Sequence, residues 1–256
     1  MGSLDTIISF FVFLFSAGML LIFTLTGKKK PRAGLRPLLA ITQLKKILGS
    51  SVEQGKRVHI TLGSVNLLNP NSAASLSALG ASEKIVQHIA SGDRSPIITS
   101  GDGALTLLSQ DELSGTYRQA NAMSQFNINQ GQMVGVSPWT YAAGTLTPIR
   151  DKANSTNVLF GHFGPEAALI LDAAERNDSF HVAGSDDLAG QAVMFTAAQE
   201  SLLGEEVFAV APYFQPGGVQ RAGLKVQDIL RWIIICVLVI AAFVRFVMSL
   251  LGINIL

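Results

Sequence analysis

The chain has 256 residues, 48% of them apolar and only 14% charged, which excludes a disordered, collagenous or coiled-coil protein and leaves room for one sizeable domain, with or without membrane spans. Its single cysteine, Cys236, excludes a disulfide framework and a thiolate zinc site. A formal net charge of +1 argues against a nucleic-acid binder, although that average conceals a partition along the chain.

Residues 1–27 hold the first element. From Ile7 to Leu25 the chain reads IISFFVFLFSAGMLLIFTL with no charge, and about 20 such residues at 1.5 Å rise cross the hydrocarbon core of a bilayer. A cleaved leader carries its positive charge before the apolar run; here Asp5 precedes it and Lys28, Lys29, Lys30 and Arg32 follow, so a retained spanning helix is expected. The positive-inside rule then puts the N-terminus outside. Residues 28–57 form a basic stem, with nine Lys and Arg against Glu53 alone. It includes a lead-in helix over Pro37 to Gln54 that Gly55 closes.

Over 58–218, strand-like runs alternate with helical segments, the pattern of βαβ units and a mostly parallel sheet. The predicted strands are VHITLG from Val58, PIITS from Pro96, MVGVS from Met133, NVLFGHF from Asn157, FHVAGS from Phe180 and VFAVAP from Val207. Helices are predicted over 71–91, 103–124, 138–146, 165–176 and 188–203. The fold class is thus α/β, a Rossmann-like sheet of about six strands with flanking helices, plus one transmembrane helix at each end. The body carries six Lys and Arg against fifteen Asp and Glu, so it is acidic where its collar is basic.

Residues 219–256 mirror the beginning. A basic linker with Arg221, Lys225 and Arg231 leads into WIIICVLVIAAFV from Trp232, then Arg245 and an apolar tail. Trp232 beside Arg231 suits the headgroup zone. Lys28, Lys29, Lys30, Arg32 and Arg231 are accordingly assigned to lipid headgroups, with anionic lipids as the expected partner. A guanidinium at Arg245 falls about 20 Å into the span and is costly there. It either pairs with Asp5 at the outer end of the first span or snorkels outward.

The predicted strand ends share one chemistry: Gly63-Ser64, Ser100-Gly101-Asp102-Gly103, Ser137-Pro138, Gly161-His162-Phe163-Gly164-Pro165 and Gly184-Ser185-Asp186-Asp187. Small residues turn the chain, Ser and Asp cap the next helix, and Pro138 and Pro165 suit first helical positions. The same residues are also the simplest way to build any βα turn. No G-x-G-x-x-G follows the first strand, and neither a P-loop nor a G-x-S-x-G elbow occurs. Carboxylates at Asp102, Glu166, Asp186 and Asp187 oppose an anion at the helix N-termini, so no nucleotide cofactor is expected. The remaining constellation is Asp102, His162, Glu166 and Asp186, which would converge at the carboxyl edge of the sheet as a ligand or acid/base site. His59, His88 and His181 read as structural. A different signal lies in the weakly charged helices LAGQAVMFTAAQESLL from Leu188 and NSAASLSALG from Asn71, whose outer faces suit contact with a second copy.

The order of spanning helix, basic stem and βα body, followed by FGHFGPEAALILDAAE, FHVAGSDDLAGQ, ESLLGEEVFAVAPYF and a terminal span, resembles an uncharacterised bacterial family of two-span membrane proteins classed as a domain of unknown function. The resemblance covers nearly the whole chain, with its most specific matches between Phe160 and Phe214, and implies a bacterial inner membrane with the central domain cytoplasmic and both termini outside. It implies no activity. Three functions follow in order: a self-associating, non-enzymatic scaffold or accessory subunit, a small-ligand sensor using the carboxyl edge, and a metal-assisted hydrolase. No cofactor or resident metal is assigned, homo-oligomerisation is expected, and nucleic acid is not a partner.

Overall fold

The computed structural model describes residues 3–27, 37–214 and 218–250. The chain divides into two compact units, one spanning Leu35–Gln215 and the other made of the two chain ends, Met1–Gly34 and Pro216–Leu256.

In the end unit, α1 (Ser3–Gly27) packs against the last helix of the chain, Gly218–Leu250. Among the described residues one helix is long and apolar enough to cross a membrane, Ala222–Phe243; the apolar stretch Ser9–Leu25 within α1 is shorter. The expected linker over 219–231 is not a separate segment. It is helical and continuous with the apolar run, and the helix continues past Arg245 to Leu250.

The larger unit begins with α2 (Leu39–Glu53) and β1 (Arg57–Gly63). There follow α3 (Ser72–Ile89), β2 (Ile97–Ser100), α4 (Gly103–Gln119) and β3 (Gly131–Met133). Then come α5 (Pro138–Ile149), β4 (Asn154–His162), α6 (Ala167–Arg176) and β5 (Phe180–Ser185). The unit closes with α7 (Leu188–Ala197), β6 (Glu200–Leu202) and α8 (Glu206–Phe214). All adjacent strands are parallel, in the order β3-β2-β1-β4-β5-β6, which is that of doubly wound sheets whose direction of winding reverses between β1 and β4.

Helices cover both faces, so the central strands are buried on both. Alternation along β1 sends Val58, Ile60 and Leu62 to one face, where they join Ile41, Leu44 and Leu48 of α2, Ile85 of α3 and Val210 of α8. On the opposite face Leu159 and Ala183 meet Tyr141 of α5, Ile170 of α6 and Met194 of α7. The lead-in helix α2 thus belongs to the core of the body rather than to a stem. Gly55, at φ +61, ends it in the left-handed conformation the sequence suggested.

Buried polar side chains link the middle strands. His59 Nδ1 lies 3.2 Å from Asn157 Oδ1 and Nε2 lies 2.9 Å from Thr99 Oγ1, and burial pushes its pKa down to about 4. The ring is therefore neutral and structural. His181 is likewise buried, against the carbonyls of Ser179 and Ala197, and His88 stacks edge-on against Phe214.

Two predicted strands are corrected. Val207 to Pro212 is not a strand but the heart of α8; the sixth strand is Glu200–Leu202, inside the segment expected to end a long helix. A short, wholly apolar run has no period that separates a buried helix from a buried strand. Met133 to Ser137 shares only Met133 with β3, because Val134 to Ser137 forms the turn into α5. A Cβ on Gly135 there would sit 2.5 Å from the Tyr141 nitrogen, so this segment passes hard against the first turn of α5 instead of extending the sheet.

Candidate functional site

The site begins where β1 and β4, hydrogen-bonded neighbours with Gly63 opposite His162, hand the chain to helices on opposite faces of the sheet. Both strands leave through glycine. Gly63 has φ +88 and Gly161 φ +149, and a Cβ would meet the His162 carbonyl oxygen at 2.6 Å in the first case and the Leu62 oxygen at 2.3 Å in the second. Neither position admits a side chain, and the close approach it allows opens a crevice outside the strand ends. Beneath Gly63 lies Tyr141. Its hydroxyl donates to the Thr99 carbonyl at 3.1 Å, bonds to Thr61 Oγ1, and accepts the Gly63 N–H at 3.3 Å. Burial pushes this phenol up to about 12, so it remains a protonated strut under the crevice floor.

The crevice is a cleft of about 730 Å³, within the size range of small-molecule sites. Its lining includes Ser64 and Asn66 from the β1 turn, Asp102, Val136 and Trp139, then His162, Glu166 and Asp187. Three of the four residues expected at the carboxyl edge, Asp102, His162 and Glu166, thus line one cavity. The fourth, Asp186, stands behind it: its Oδ1 is 2.7 Å from His162 Nδ1, which fixes the ring's orientation and directs Nδ1 away from any cleft ligand.

Local chain chemistry places the carboxylates. Asp102 caps α4, accepting the Leu105 N–H at 3.2 Å, and also receives the Leu67 N–H at 3.4 Å. Asp187 caps α7 through the Gly190 N–H at 3.0 Å. These carboxylates occupy helix N-termini that would otherwise attract phosphate. Ser137 caps α5 in a reciprocal box with Thr140, and Pro138 opens the helix as expected. Pro165 does not: α6 starts at Ala167. Glu166 behaves differently from Asp102 and Asp187. It makes no cap bond to α6, and its Oε1 instead accepts the Gly164 N–H at 2.8 Å while the residue is only 3% exposed.

Sequence reasoning missed two lining residues. Asp187 was visible as the second acid of Ser185-Asp186-Asp187. Trp139 gave no signal beyond following Pro138, yet its indole is 58% exposed and lines the cleft. Among the described residues no group of three or more His, Cys, Asp or Glu is placed to hold a metal ion.

At the opposite, amino edge of the sheet a second cleft of about 690 Å³ is lined by Gly55, Arg57, Asp93, Arg94, Asn127 and Gln130, among others. Arg57 Nη1 pairs with Asp151 Oδ2 at 2.6 Å. Arg57 Nε and Gln130 Oε1 are enclosed and have no hydrogen-bond partner among the described residues.

Of the remaining residues the sequence singled out, Lys28, Lys29, Lys30 and Arg32 lie outside the described residues, as does the side chain of Asp5. Arg231 and Arg245 are exposed on the helix Gly218–Leu250.

One protein-family model, described as Domain of unknown function (DUF6754), matches residues 3–255. No curated protein and no solved structure matches the chain.

Proposed function

The chain belongs to the DUF6754 family, and from that premise we propose that it is a membrane-anchored binding module that takes a small ligand in the carboxyl-edge cleft. The observation that carries this reading is the gathering of Asp102, His162 and Glu166, from three separate turns, on one cavity at the point where the sheet reverses its winding. The anchoring half of the proposal rests on Ala222–Phe243 and on the uncharged run from Ile7 to Leu25. With the basic cluster from Lys28 to Arg36 held at the cytoplasmic face, both termini lie outside and the body faces the cytoplasm of a bacterial cell, that cluster on anionic headgroups. Reporter fusions at the two termini should then signal outside and one within the body inside; a terminus on the same side as the body overturns this topology.

Native mass spectrometry of the full chain released from mild detergent tests the binding reading. The expected spectrum shows a small molecule retained on the wild type and lost when Asp102, His162 and Glu166 are all replaced by Ala. A ligand-free wild type in several detergents and nanodiscs contradicts it.

A second reading, self-association as a scaffold, is favoured by one observation. Helix α7 buries only Gly190 and Met194 and leaves Leu188 81% and Phe195 66% exposed, more apolar surface than an isolated helix face normally shows to water. The same spectra separate the two: discrete assemblies that dissociate in Phe195→Glu support it, and a strictly monomeric chain rejects it. Metal-assisted hydrolysis ranks last, since among the described residues no three acidic or imidazole groups are placed to hold an ion.

A further inference from the structure

The lining of the carboxyl-edge cleft carries the acids Asp102, Glu166 and Asp187 and, among the described residues, no Lys or Arg. Asp102 and Asp187 are accounted for as helix caps, partly offset by the helix dipoles they face. Glu166 is not. It is 97% enclosed by the protein, only 3% exposed, and among the described residues it receives one hydrogen bond, from Gly164, and pairs with no cation. Its second oxygen, Oε2, lies over Gly164, where a Cβ would stand only 2.8 Å away, so the sequence leaves room for this carboxylate to fold back at the cleft wall. A buried carboxylate lacking a counter-charge is costly unless something cationic completes it. The single other titratable group in the lining, His162, already bonds to Asp186.

The chemistry of that cation follows from what surrounds the acids. A divalent ion needs several oxygens converging at short range, and no three described acidic or imidazole groups are so placed. Ser64, Asn66 and Asn69 give one polar, uncharged side, and Met133, Val136, Pro138 and the exposed indole of Trp139 give an apolar, aromatic one. An indole face attracts an organic cation and an apolar wall binds its carbon skeleton. We propose that the cleft binds an organic amine, its ammonium completing Glu166 with support from Asp102 and Asp187, and its apolar body lying against Trp139. This rests on the reading of the cleft as a ligand site and specifies the class of ligand.

The test uses the full chain in mild detergent with Trp232→Phe, which leaves Trp139 as the sole tryptophan. Its emission is followed during titration with 2-phenylethylamine, the neutral 2-phenylethanol and the anionic 3-phenylpropanoate. The amine should give a saturable change and the other two none; the alcohol enters micelles at least as readily and controls for partition. Glu166→Gln keeps an acceptor for the Gly164 N–H while removing the charge, and should weaken the amine by about tenfold or more. Asp187→Asn retains the helix cap and should weaken it less, which keeps the test decisive should Glu166→Gln fail to fold. An alcohol that binds as well as the amine, or an affinity unmoved by both substitutions, overturns the cationic assignment and leaves the cleft as a site for another ligand class. Silence from all three probes also overturns it, and the bound mass in the native spectrum then decides separately whether the cleft is a ligand site at all.

Discussion

The two ends of the parallel sheet treat charge in opposite ways. At the amino end the half-buried charge is matched: Arg57 meets Asp151 at 2.6 Å, and Asp151 Oδ1 also accepts the Ala153 N–H at 2.9 Å. The pair fastens the start of β1 to the turn before β4, and the remaining Asp93 and Arg94 are exposed to water. At the carboxyl end Glu166 is more deeply enclosed than Arg57 yet, among the described residues, pairs with no cation. Two clefts of similar volume therefore differ in kind. Charge that is neutralised inside the fold clips elements together, whereas buried charge without a partner faces the cavity where a ligand can complete it. Size alone does not distinguish them.

Substituting glycine at each end gives the largest contrast. Gly161→Ala at the carboxyl end would force a Cβ to 2.3 Å from the Leu62 oxygen and should cost about 3 kcal/mol or more, abolishing the amine response along with the cooperative thermal transition. Gly55→Ala at the amino end shares a positive φ, but its nearest neighbour is Asp93 Oδ2 at 3.8 Å. Its cost should stay at about 1–2 kcal/mol, read from the same melting curves, and equal losses at the two sites would erase the distinction.

Midway between the ends, His59 sets a pH dependence that belongs to neither. Its folded pKa lies at about 4 against an ordinary value of 6.5, so between those limits the unfolded chain binds the proton that the folded chain refuses. Stability must then fall as pH drops from 6.5 to 4, by about 3 kcal/mol for this group. Chemical denaturation across that range should show a steeper decline in the wild type than in His59→Gln; parallel curves would rule out His59 as the cause.

The smallest effect is expected from Arg57→Ala. Its side chain and that of Asp151 retain 25% and 37% exposure, so solvent screens the pair and the loss should be about 1 kcal/mol or less, with the Trp139 titration unchanged. A shift in amine affinity there would mean that the two ends are coupled.

Much of this was legible along the chain because it is local. The β-branched runs of β1 and β2, the Asp102 cap and the Ser137-Pro138 helix start are each set by a few adjacent residues, and His162 and Glu166 stood out as functional types at a strand exit. What escaped depends on distant partners. Val207 to Pro212 becomes a helix because of the core it packs into, through Val207 and Val210. The pairing of His162 with Asp186, the inclusion of Trp139 and the isolation of Glu166 all follow from the strand order, which brings together turns far apart in the chain, 24 residues for His162 and Asp186, and leaves no short-range signature.

Hydrogen–deuterium exchange of the full chain in mild detergent, with and without 2-phenylethylamine, compares the two ends of the sheet in one experiment. Slowed exchange is expected in peptides covering 101–105, 136–140, 162–167 and 187–190, with unchanged exchange over 55–57, 93–97 and 127–130. Protection confined to the amino-end peptides, or none at either end, would contradict the claim that the unmatched charge marks the binding edge.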